Sequence, residues 1–442
     1  MHSNNLGRSN NFGVLAATLN QPINFGSIQR LLASKSILTM IDQVIYSASN
    51  FMTAVIVARN CSAQQFGLYI LGLRLVDYCR EIQNVLIWSP YMLFSPRFKG
   101  EAHARYTGST LVHQLSFSLL AALLFITAHI FVAPQMPLLP LALVGVFFPL
   151  QEYTRRICFA NFQVLTAVAL DTTVTVIQIA SLFYLAQQNQ MSVSNAYWIV
   201  GSANAVAVIA WLIWARRDFV FAGRQIIPDF KSNLAQGKWL LGGNLTLLAT
   251  TQIYPWTLTT FHSAAATGLY AAGEGVVNFI RAFMISIQNF LGPKLAHAYA
   301  DGGRPALQRV VYRTTLLLGL ITGACALCFA IFGGQLATLI YGAKYSGLEM
   351  IVALLALNIF IWALTTSQSY AISTMERSDL NFKINLLGLL LSATFGFGFV
   401  LRFGTTGAAG GLLLSSTVTA LIRHVTFVRL LKKGGNQRGI NG

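Results

Sequence analysis

The sequence predicts an all-α polytopic membrane protein with about 12 transmembrane helices in two homologous six-helix bundles, related by a pseudo-two-fold axis along the membrane normal. Three observations predict this fold class. Of the 442 residues, 55% are hydrophobic and only 10% are charged, against about 25% charged residues in an ordinary globular domain. Apolar runs of about 20 residues, the length that crosses a bilayer, recur along the chain. One polar turn, together with the helix that follows it, occurs twice.

The repeated stretch lies at residues 61–69 and 262–270. The first copy reads Cys-Ser-Ala-Gln-Gln-Phe-Gly-Leu-Tyr and the second His-Ser-Ala-Ala-Ala-Thr-Gly-Leu-Tyr, so five of the nine positions are identical at an offset of 201. The match continues into the following apolar segment, where Arg80 corresponds to Arg281. Repeats in the same orientation predict a substrate site between two halves of a membrane protein.

Twelve spans are predicted from the apolar runs. They lie near residues 37–58, 67–93, 110–133, 138–157, 162–186, 195–215, 239–260, 267–291, 312–333, 350–374, 383–401 and 405–427. The predicted domains are a cytoplasmic N-terminal tail (1–36), an N-terminal six-helix bundle (37–215), a basic cytoplasmic linker (216–238), a C-terminal six-helix bundle (239–428) and a basic cytoplasmic tail (429–442).

The basic residues predict the orientation of the spans. Of the 30 Lys and Arg residues, 24 fall in segments on the side of the N-terminus, and only Arg59, Lys344 and Arg402 fall on the opposite side. Such a bias in short loops indicates that both termini are cytoplasmic. The net charge of +17 is then explained by topology and by attraction to anionic membrane lipids, so no nucleic-acid partner is expected.

Two spans carry a stripe of polar residues on one face. In the second span the stripe covers about 120° at 100° per residue and consists of Arg74, Asp77, Arg80, Glu81 and Asn84. In the eighth span it covers about 80° and consists of Glu274, Asn278, Arg281 and Gln288. Because the two helices are counterparts in the repeat, the stripes predict a polar cavity between the halves.

Further ionisable residues lie on other spans. The first span contains Asp42 and the fifth contains Asp171, whereas Glu152, Arg155 and Arg156 at the end of the fourth are interpreted as an interfacial stop. An ionised side chain at the bilayer centre costs about 2.5–3.5 kcal/mol on insertion scales. The charged residues inside spans are therefore expected to face each other or a wet cavity.

The candidate site residues fall into two groups. Those predicted to bind substrate are Arg74, Arg80, Arg281, Asn278, Asn84 and Gln288, because guanidinium groups favour an anionic ligand such as a phosphate. Those predicted to couple an ion or to balance charge are Asp42, Asp77, Glu81 and Glu274. A purely structural role, in which these side chains pair and pin helices, remains the alternative for each residue.

No cofactor, metal site or enzymatic centre is predicted. The seven histidines form no metal-ligand spacing, and no G-x-x-x-x-G-K-[ST] motif for ATP binding occurs. A glycosyltransferase or polymerase would be expected to carry a substantial outer loop or a carboxylate-rich site outside the membrane.

The first 100 residues resemble a known family. The residues that carry the resemblance are Asp42-Gln43, Ser49-Asn50-Phe51, Ala58-Arg59, the turn before Phe66-Gly67-Leu68-Tyr69, and the charged second span. They are similar to the N-terminal region of the polysaccharide-biosynthesis flippases, the Wzx-type O-antigen and exopolysaccharide transporters of the multidrug/oligosaccharidyl-lipid/polysaccharide exporter superfamily.

The resemblance implies a secondary transporter in a bacterial cytoplasmic (inner) membrane. Its expected substrate is a polyprenyl-diphosphate-linked oligosaccharide, moved between leaflets by alternating access, with H⁺ or Na⁺ as a potential coupling ion. Expected partners are the polysaccharide polymerase and the chain-length machinery. A cation-coupled multidrug or solute antiporter of the same superfamily is the first alternative, and a membrane glycosyltransferase or polymerase is the second.

Overall fold

The secondary structure is α-helical in the part of the chain that the computed structural model describes, residues 25–131 and 136–433. The α-helices are α1 (Phe25–Asn60), α2 (Ala63–Gln83), α3 (Ser89–Phe94), α4 (Glu101–Phe131), α5 (Leu138–Ala160), α6 (Val164–Gln187), α7 (Val193–Ala215), α8 (Gly223–Phe261), α9 (Ala264–Tyr341), α10 (Glu349–Thr374), α11 (Ser378–Leu391) and α12 (Phe397–Lys433). The predicted all-α fold class is confirmed.

Helices and predicted spans do not correspond one to one. Within α9, Gly303 (φ 60°, ψ −154°) separates the eighth predicted span from the ninth. Within α12, Gly404 (φ 55°, ψ −129°) separates the eleventh from the twelfth. Both residues have the positive φ that glycine adopts without a steric penalty. Conversely, the second span is α2 continued through a π-helical turn at Asn84–Trp88 into α3.

Seven helical stretches among the described residues are long and apolar enough to cross a membrane. They are Ile37–Asn60, Glu101–Phe131, Val164–Gln187, Val193–Asp218, Leu291–Tyr341, Glu349–Thr374 and Ser378–Lys432. Four predicted spans, near 67–93, 138–157, 239–260 and 267–291, fall short of this hydropathy because charged, polar or proline residues interrupt their apolar runs. A helix enclosed by its neighbours need not be apolar all round.

The repeated turn starts a helix in each half. Ser62 is the N-cap of α2, and its hydroxyl accepts a hydrogen bond from the backbone N–H of Gln65 at 3.1 Å. Ser263 caps α9 in the same way and accepts from Ala266 N–H at 3.1 Å. A hydroxyl at this position satisfies one of the backbone donors that the first turn of a helix leaves unpaired. The shared serine therefore defines where both helices begin.

The two repeated helices pack directly against each other. A Cβ at Gly67 would overlap the carbonyl oxygen of Ala264, and a Cβ at Gly268 would overlap that of Ala63. The two contacts are exchanged by the sequence offset of 201, as a two-fold axis between α2 and α9 requires. The predicted arrangement of two repeated halves is confirmed.

Helix α8 connects the halves and is anchored on the first of them. Tyr106 on α4 donates a hydrogen bond to the amide oxygen of the buried Asn233 at 3.0 Å. A ring nitrogen of His113 lies 2.8 Å from the carbonyl oxygen of Ile226. The segment that joins the halves is thus a packed helix rather than a loose loop.

The predicted domain boundaries stay a prediction. α8 runs without a break from Gly223 to Phe261, across the predicted boundary between the linker (216–238) and the C-terminal bundle. Residues 1–24 and 434–442 of the two predicted tails lie outside the described residues.

Candidate functional site

An ion pair joins the two polar stripes across the interface between the halves. Arg74 Nη2 on α2 lies 2.6 Å from Glu274 Oε2 on α9. Arg74 also lies 3.9 Å from Asp77, one turn further along its own helix. Both partners of the inter-half pair are largely shielded from solvent, so the attraction is screened much less than at a surface. The two stripes therefore meet, as the sequence predicts.

Arg80 is held by contacts within the first half. Its Nη1 lies 3.0 Å from Asp77 Oδ1, and its Nη2 donates to the hydroxyl of Tyr46 at 3.4 Å. The guanidinium lies 4.8 Å from the centre of the Phe148 ring, within the range of a cation–π interaction. In this conformation Arg80 is positioned by three side chains and shares Asp77 with Arg74.

Glu81 is held by amides rather than by a cation. Its Oε1 accepts a hydrogen bond from Asn244 Nδ2 on α8 at 2.7 Å, and Asn84 Nδ2 lies 3.4 Å from the same oxygen. Asn244 occupies the position in the second half that corresponds to Gln43 in the first. Glu81 and Asn84 are therefore brought together at a second contact between the halves.

Arg281, Asn278 and Gln288 are predicted site residues on α9 without a hydrogen bond or ion pair in the described part of the chain, whereas Asp42 and Arg80 are paired and each keep one unpartnered atom. Among the described residues, Arg281 makes no ion pair within 4 Å and no hydrogen bond. Asn278 is exposed, and the amide nitrogen of Gln288 is buried without a hydrogen-bond partner. These three residues of α9 can therefore accept a ligand without first releasing a protein partner.

The ionisable residues of the two stripes are balanced in number. The two stripes contain three arginines (Arg74, Arg80, Arg281) and three acids (Asp77, Glu81, Glu274). Pairing neutralises most of them and leaves one guanidinium, Arg281, without an ion-pair partner in the described part of the chain. Bound amides solvate the remaining carboxylate, Glu81.

Asp42 lies in a separate cluster inside the first half. Arg155 is at its centre, with Nη2 2.6 Å from Asp42 Oδ2, Nη1 3.2 Å from Glu152 Oε2 and Nε 2.8 Å from Asp171 Oδ2. The side chains of Arg155 and Asp42 are 5% and 0% exposed. The interpretation of Glu152 and Arg155 as an interfacial stop is therefore wrong. Both side chains are buried where α1, α5 and α6 meet. Arg155 supplies the cation that carboxylates inside a bundle require.

Arg156 shows why the sequence alone misassigned its neighbour. It also pairs with Glu152, at 3.1 Å, but its side chain is 41% exposed. Both arginines lie at the end of a predicted span, so the sequence predicts the same interfacial position for each. Only the packing of α1, α5 and α6 directs the Arg155 side chain into the protein. The available signal was Asp171, an unpaired acid in the middle of an apolar span, whose partner had to come from a neighbouring helix.

A narrow cavity adjoins this cluster. Its volume is about 20 Å³, which accommodates one water molecule or a small cation. The lining residues are Tyr46, Ser49, Asn50, Phe148, Gln151, Asp171, Val174, Thr175, Gln178 and Asn204. The amide oxygens of Gln151 and Asn204 are buried without a hydrogen-bond partner among the described residues, whereas the Asp171 carboxylate is held by Gln151 and Arg155. Unsatisfied oxygens around so small a space are suited to a cation or a proton.

The two halves are also fastened by hydrogen bonds at the end of the protein where α1 and α9 end. Arg59 and Lys344 lie at this end. Arg59, near the end of α1, donates to the carbonyls of Leu339 and Ile340 in the last turn of α9, the latter at 2.7 Å. Lys344 donates in return to the carbonyls of Arg59, at 3.0 Å, and Cys61. Each half thus satisfies carbonyls that the helix end of the other half leaves free.

Comparison with solved structures identifies the fold. The chain superposes on a multidrug resistance MATE family transporter of the MOP superfamily in an inward-facing conformation, with a TM-score of 0.74, 11% identity, and 90% of this chain and 96% of that chain covered. It also matches a MOP superfamily transporter from Pyrococcus furiosus, described by the reverse polarity of its binding pocket, with a TM-score of 0.60, 12% identity, and 90% and 94% covered.

Sequence comparison gives one partial relative. A capsular polysaccharide biosynthesis protein of Staphylococcus aureus, CapF, is 25% identical over 148 residues. The match covers 33% of this chain and only 37% of the length of that protein. No model of a known protein family matches the sequence. The chain therefore has the fold of the MATE transporters of the MOP superfamily, and it is a multi-pass membrane protein.

Proposed function

We propose that the protein is a flippase that moves a polyprenyl-diphosphate-linked oligosaccharide across the bacterial cytoplasmic membrane by alternating access. The transporter fold supports the class of activity, and the partial similarity to CapF supports a substrate from polysaccharide biosynthesis. The observation that carries the substrate class is the position of Arg281. It is an arginine in the polar stripe between the halves, and it makes no ion pair among the described residues.

A diphosphate fits this site for two reasons. It can bind the unpaired Arg281, and it can compete with the carboxylates that hold the other two arginines. Arg281 offers up to five N–H donors in the planar geometry that matches phosphate oxygens. Arg74 and Arg80 are held by Glu274 and Asp77 at 2.6 and 3.0 Å, and an incoming diphosphate offers them stronger acceptors. Release of the Arg74–Glu274 pair would remove a bond between the halves, which couples ligand binding to their separation.

The cluster around Arg155 is the proposed coupling site. Asp42, Glu152 and Asp171 are three carboxylates served by Arg155 and the half-exposed Arg156. One negative charge therefore remains, next to the cavity lined by Gln151 and Asn204. A proton or a sodium ion neutralises this charge, since an uncompensated buried carboxylate is costly. A cation gradient acting here would bias the conformation of the first half.

The multidrug cation antiporter has the same fold and is the second candidate. The pairing in the central site argues against it, because Glu274 and Asp77 are already neutralised by arginines and the unpaired charge is positive. A cationic drug would meet Arg281 with no compensating free carboxylate except Glu81, which Asn244 holds. The enzyme alternative finds no support from a fold shared with transporters.

The proposed orientation and partners follow from the same assignment. Both termini would be cytoplasmic, so that the basic loops contact anionic lipids of the inner leaflet. The fastened end with Arg59 and Lys344 would then be the outer end, and the conformation would be inward-facing, in keeping with the MATE structure of higher TM-score. The polymerase and the chain-length machinery would receive the glycan on the far side.

Transport in proteoliposomes tests the proposal. The purified protein is reconstituted with a fluorescent polyprenyl-diphosphate oligosaccharide, and the glycan on the far leaflet is measured with and without a proton or sodium gradient. Protein-dependent appearance of the glycan is expected. Failure with several such lipids, together with gradient-driven efflux of a cationic drug, would replace the flippase by the antiporter.

Arg281→Ala is expected to reduce transport roughly ten- to hundredfold, because hydrogen bonds to a charged group contribute about 1.5–3 kcal/mol. Its membrane level should stay near normal, since no protein partner loses a contact. Arg80→Ala should also impair transport. Arg402→Ala, an exposed arginine away from the stripes, is the matched control. Disappearance of the Arg281→Ala protein from the membrane would instead assign that residue a structural role.

Asp171→Asn is expected to abolish the stimulation of transport by the coupling gradient while leaving exchange without a gradient measurable. The amide keeps the shape of the side chain but cannot release a proton or supply a charged ligand. Transport rates with and without each gradient give the result. Asp218→Asn removes an exposed acid and serves as control. Unchanged gradient stimulation in the Asp171→Asn protein would remove the coupling role from this cluster.

A further inference from the structure

A basic cleft lies on α9 immediately after the break at Gly303, outside the central site. It is shallow and open on one side, and it is lined by Pro305, Gln308, Arg309, Tyr312 and Arg313. All five residues belong to one face of the helix, because they recur at the spacing of a helical turn. The cleft is in the segment 292–313, which the distribution of basic residues assigns to the cytoplasmic side.

The two arginines of the cleft lack counter-ions. Arg309 and Arg313 are exposed, and neither takes part in an ion pair within 4 Å in the described residues. Like charges four residues apart on a helix repel each other. By contrast, the exposed Arg105 and Arg377 pair with Glu101 and Asp379. An anion bound between Arg309 and Arg313 would relieve this repulsion.

An apolar stripe continues from the cleft along the same face of α9. At 100° per residue, Arg309, Arg313, Leu316, Leu320 and Leu327 fall within about 60° of one another. The three leucines are at least 64% exposed. From Leu316 to Leu327 the helix rises about 16 Å, which is about half the 30 Å thickness of the hydrocarbon core. The cationic cleft therefore lies at one end of an exposed apolar stripe, and the length of this stripe matches the hydrocarbon depth of one leaflet.

We propose that this cleft binds the phosphate group of a membrane lipid, with the phosphate between Arg309 and Arg313 and the hydrocarbon chains along Leu316, Leu320 and Leu327. Tyr312 and Gln308 add a hydroxyl and an amide that can donate to the remaining phosphate oxygens. The ligand is a phosphorylated lipid of the cytoplasmic leaflet. Its source is either an anionic phospholipid or the diphosphate of a polyprenyl lipid, which offer the same chemistry to two arginines.

The site does not depend on the proposed transport activity. It lies on an exposed face of α9 and shares no residue with the central stripes or with the Arg155 cluster. A lipid bound here would hold the α9 segment after Gly303 at the level of the headgroups. Phosphate binding can therefore be measured even if the protein carries a different substrate.

The test is photo-cross-linking in nanodiscs with a diazirine analogue of phosphatidylglycerol, followed by peptide mapping of residues 305–320. Arg309→Gln with Arg313→Gln is expected to reduce labelling of this peptide roughly thirtyfold at subsaturating lipid, since each basic residue near an anionic surface contributes about 1 kcal/mol. Arg309→Lys with Arg313→Lys keeps both charges and should retain most of the labelling. Arg216→Gln with Arg217→Gln removes two charges from exposed positions outside the cleft and should change nothing.

Competition distinguishes the source of the phosphate. Displacement by polyprenyl diphosphate at a lower concentration than by phosphatidylglycerol would make the cleft a loading site for a diphosphate lipid. The reverse order would make it an anionic-phospholipid site, and both results support the proposal. Labelling that the double glutamine variant leaves unchanged would overturn it. Displacement by inorganic phosphate at as low a concentration as by phosphatidylglycerol would also overturn it, because the apolar stripe would then contribute nothing.

Discussion

Arg155→Leu is expected to leave little folded protein in the membrane. The substitution leaves Asp42, Glu152 and Asp171 around a buried apolar side chain, with only the half-exposed Arg156 on Glu152. Removing one partner of a buried ion pair costs about 3–5 kcal/mol, because the remaining charge stays buried without compensation. That loss is comparable with the whole stability of a typical fold, about 5–15 kcal/mol.

Membrane yield and the melting temperature of the purified protein measure this effect. Arg105→Leu is the matched control, because Arg105 and Glu101 are 41% and 68% exposed and such a surface pair contributes about 0–1 kcal/mol. Combining Arg155→Leu with Asp42→Asn and Asp171→Asn removes two of the unpaired charges and should restore part of the yield. A normal melting temperature for Arg155→Leu alone would contradict the assignment of Arg155 as the centre of the cluster.

Gly67→Val is expected to open the end of the protein where Arg59 and Lys344 fasten the two halves. Even a Cβ at this position would overlap the carbonyl oxygen of Ala264 on α9. Since the obstacle is backbone and not a flexible side chain, the helices must separate. Separation would also break the hydrogen bonds that Lys344 donates to Arg59 and Cys61. The protein should then shift towards the conformation that is open at this end.

Cys61 is a natural reporter of this opening. It is buried in the turn before α2, and burial raises the pKa of its thiol, so in the closed conformation it is both inaccessible and protonated. Maleimide reacts with the thiolate. In a background in which Cys79, Cys158, Cys325 and Cys328 are replaced by serine or alanine, labelling by a membrane-impermeable maleimide should rise at least about tenfold, which corresponds to a shift of about 1.4 kcal/mol.

Controls make this experiment specific. Gly398→Val places the same side chain in open space, where a Cβ meets nothing within 4 Å, and should not change the labelling rate of Cys61. Gly268→Val should reproduce the effect of Gly67→Val, because Gly268 packs on Ala63 in the symmetrical contact. Equal labelling of the wild type and both interface variants, with normal membrane levels, would show that this contact does not control access.

Local patterns predicted the parts of the structure that depend on few residues. Four of the five identities of the repeat have a role in the fold: the serines cap α2 and α9, the alanines and glycines let the helices touch, and Tyr69 and Tyr270 are buried in the core. The polar stripes followed from helical periodicity alone, since residues three or four apart share a face. That the two stripes lie between the halves followed from the repeat.

Pairing between distant residues required the tertiary structure. Arg74 and Glu274 are 200 residues apart, and Arg155 and Asp42 are 113 apart. Sequence indicated that each buried charge needs a partner, but several arginines were available to every acid. It therefore left open that Arg74 and Arg80 are paired whereas Arg281 is not, a difference that decides which of them is ready to bind an anion.

The sequence by itself determined a duplicated bundle of helices and the two helices that carry the charged stripes, and it predicts the spans and their orientation. These features follow from hydropathy, charge bias and helical period, which act over one turn or one span. The tertiary structure alone decided that Arg155 points inward to three acids and that Arg59 and Lys344 exchange contacts across the halves. Which face of a helix end is enclosed depends on the neighbouring helices, and ion pairs inside a bundle form between whichever charges that packing brings within reach.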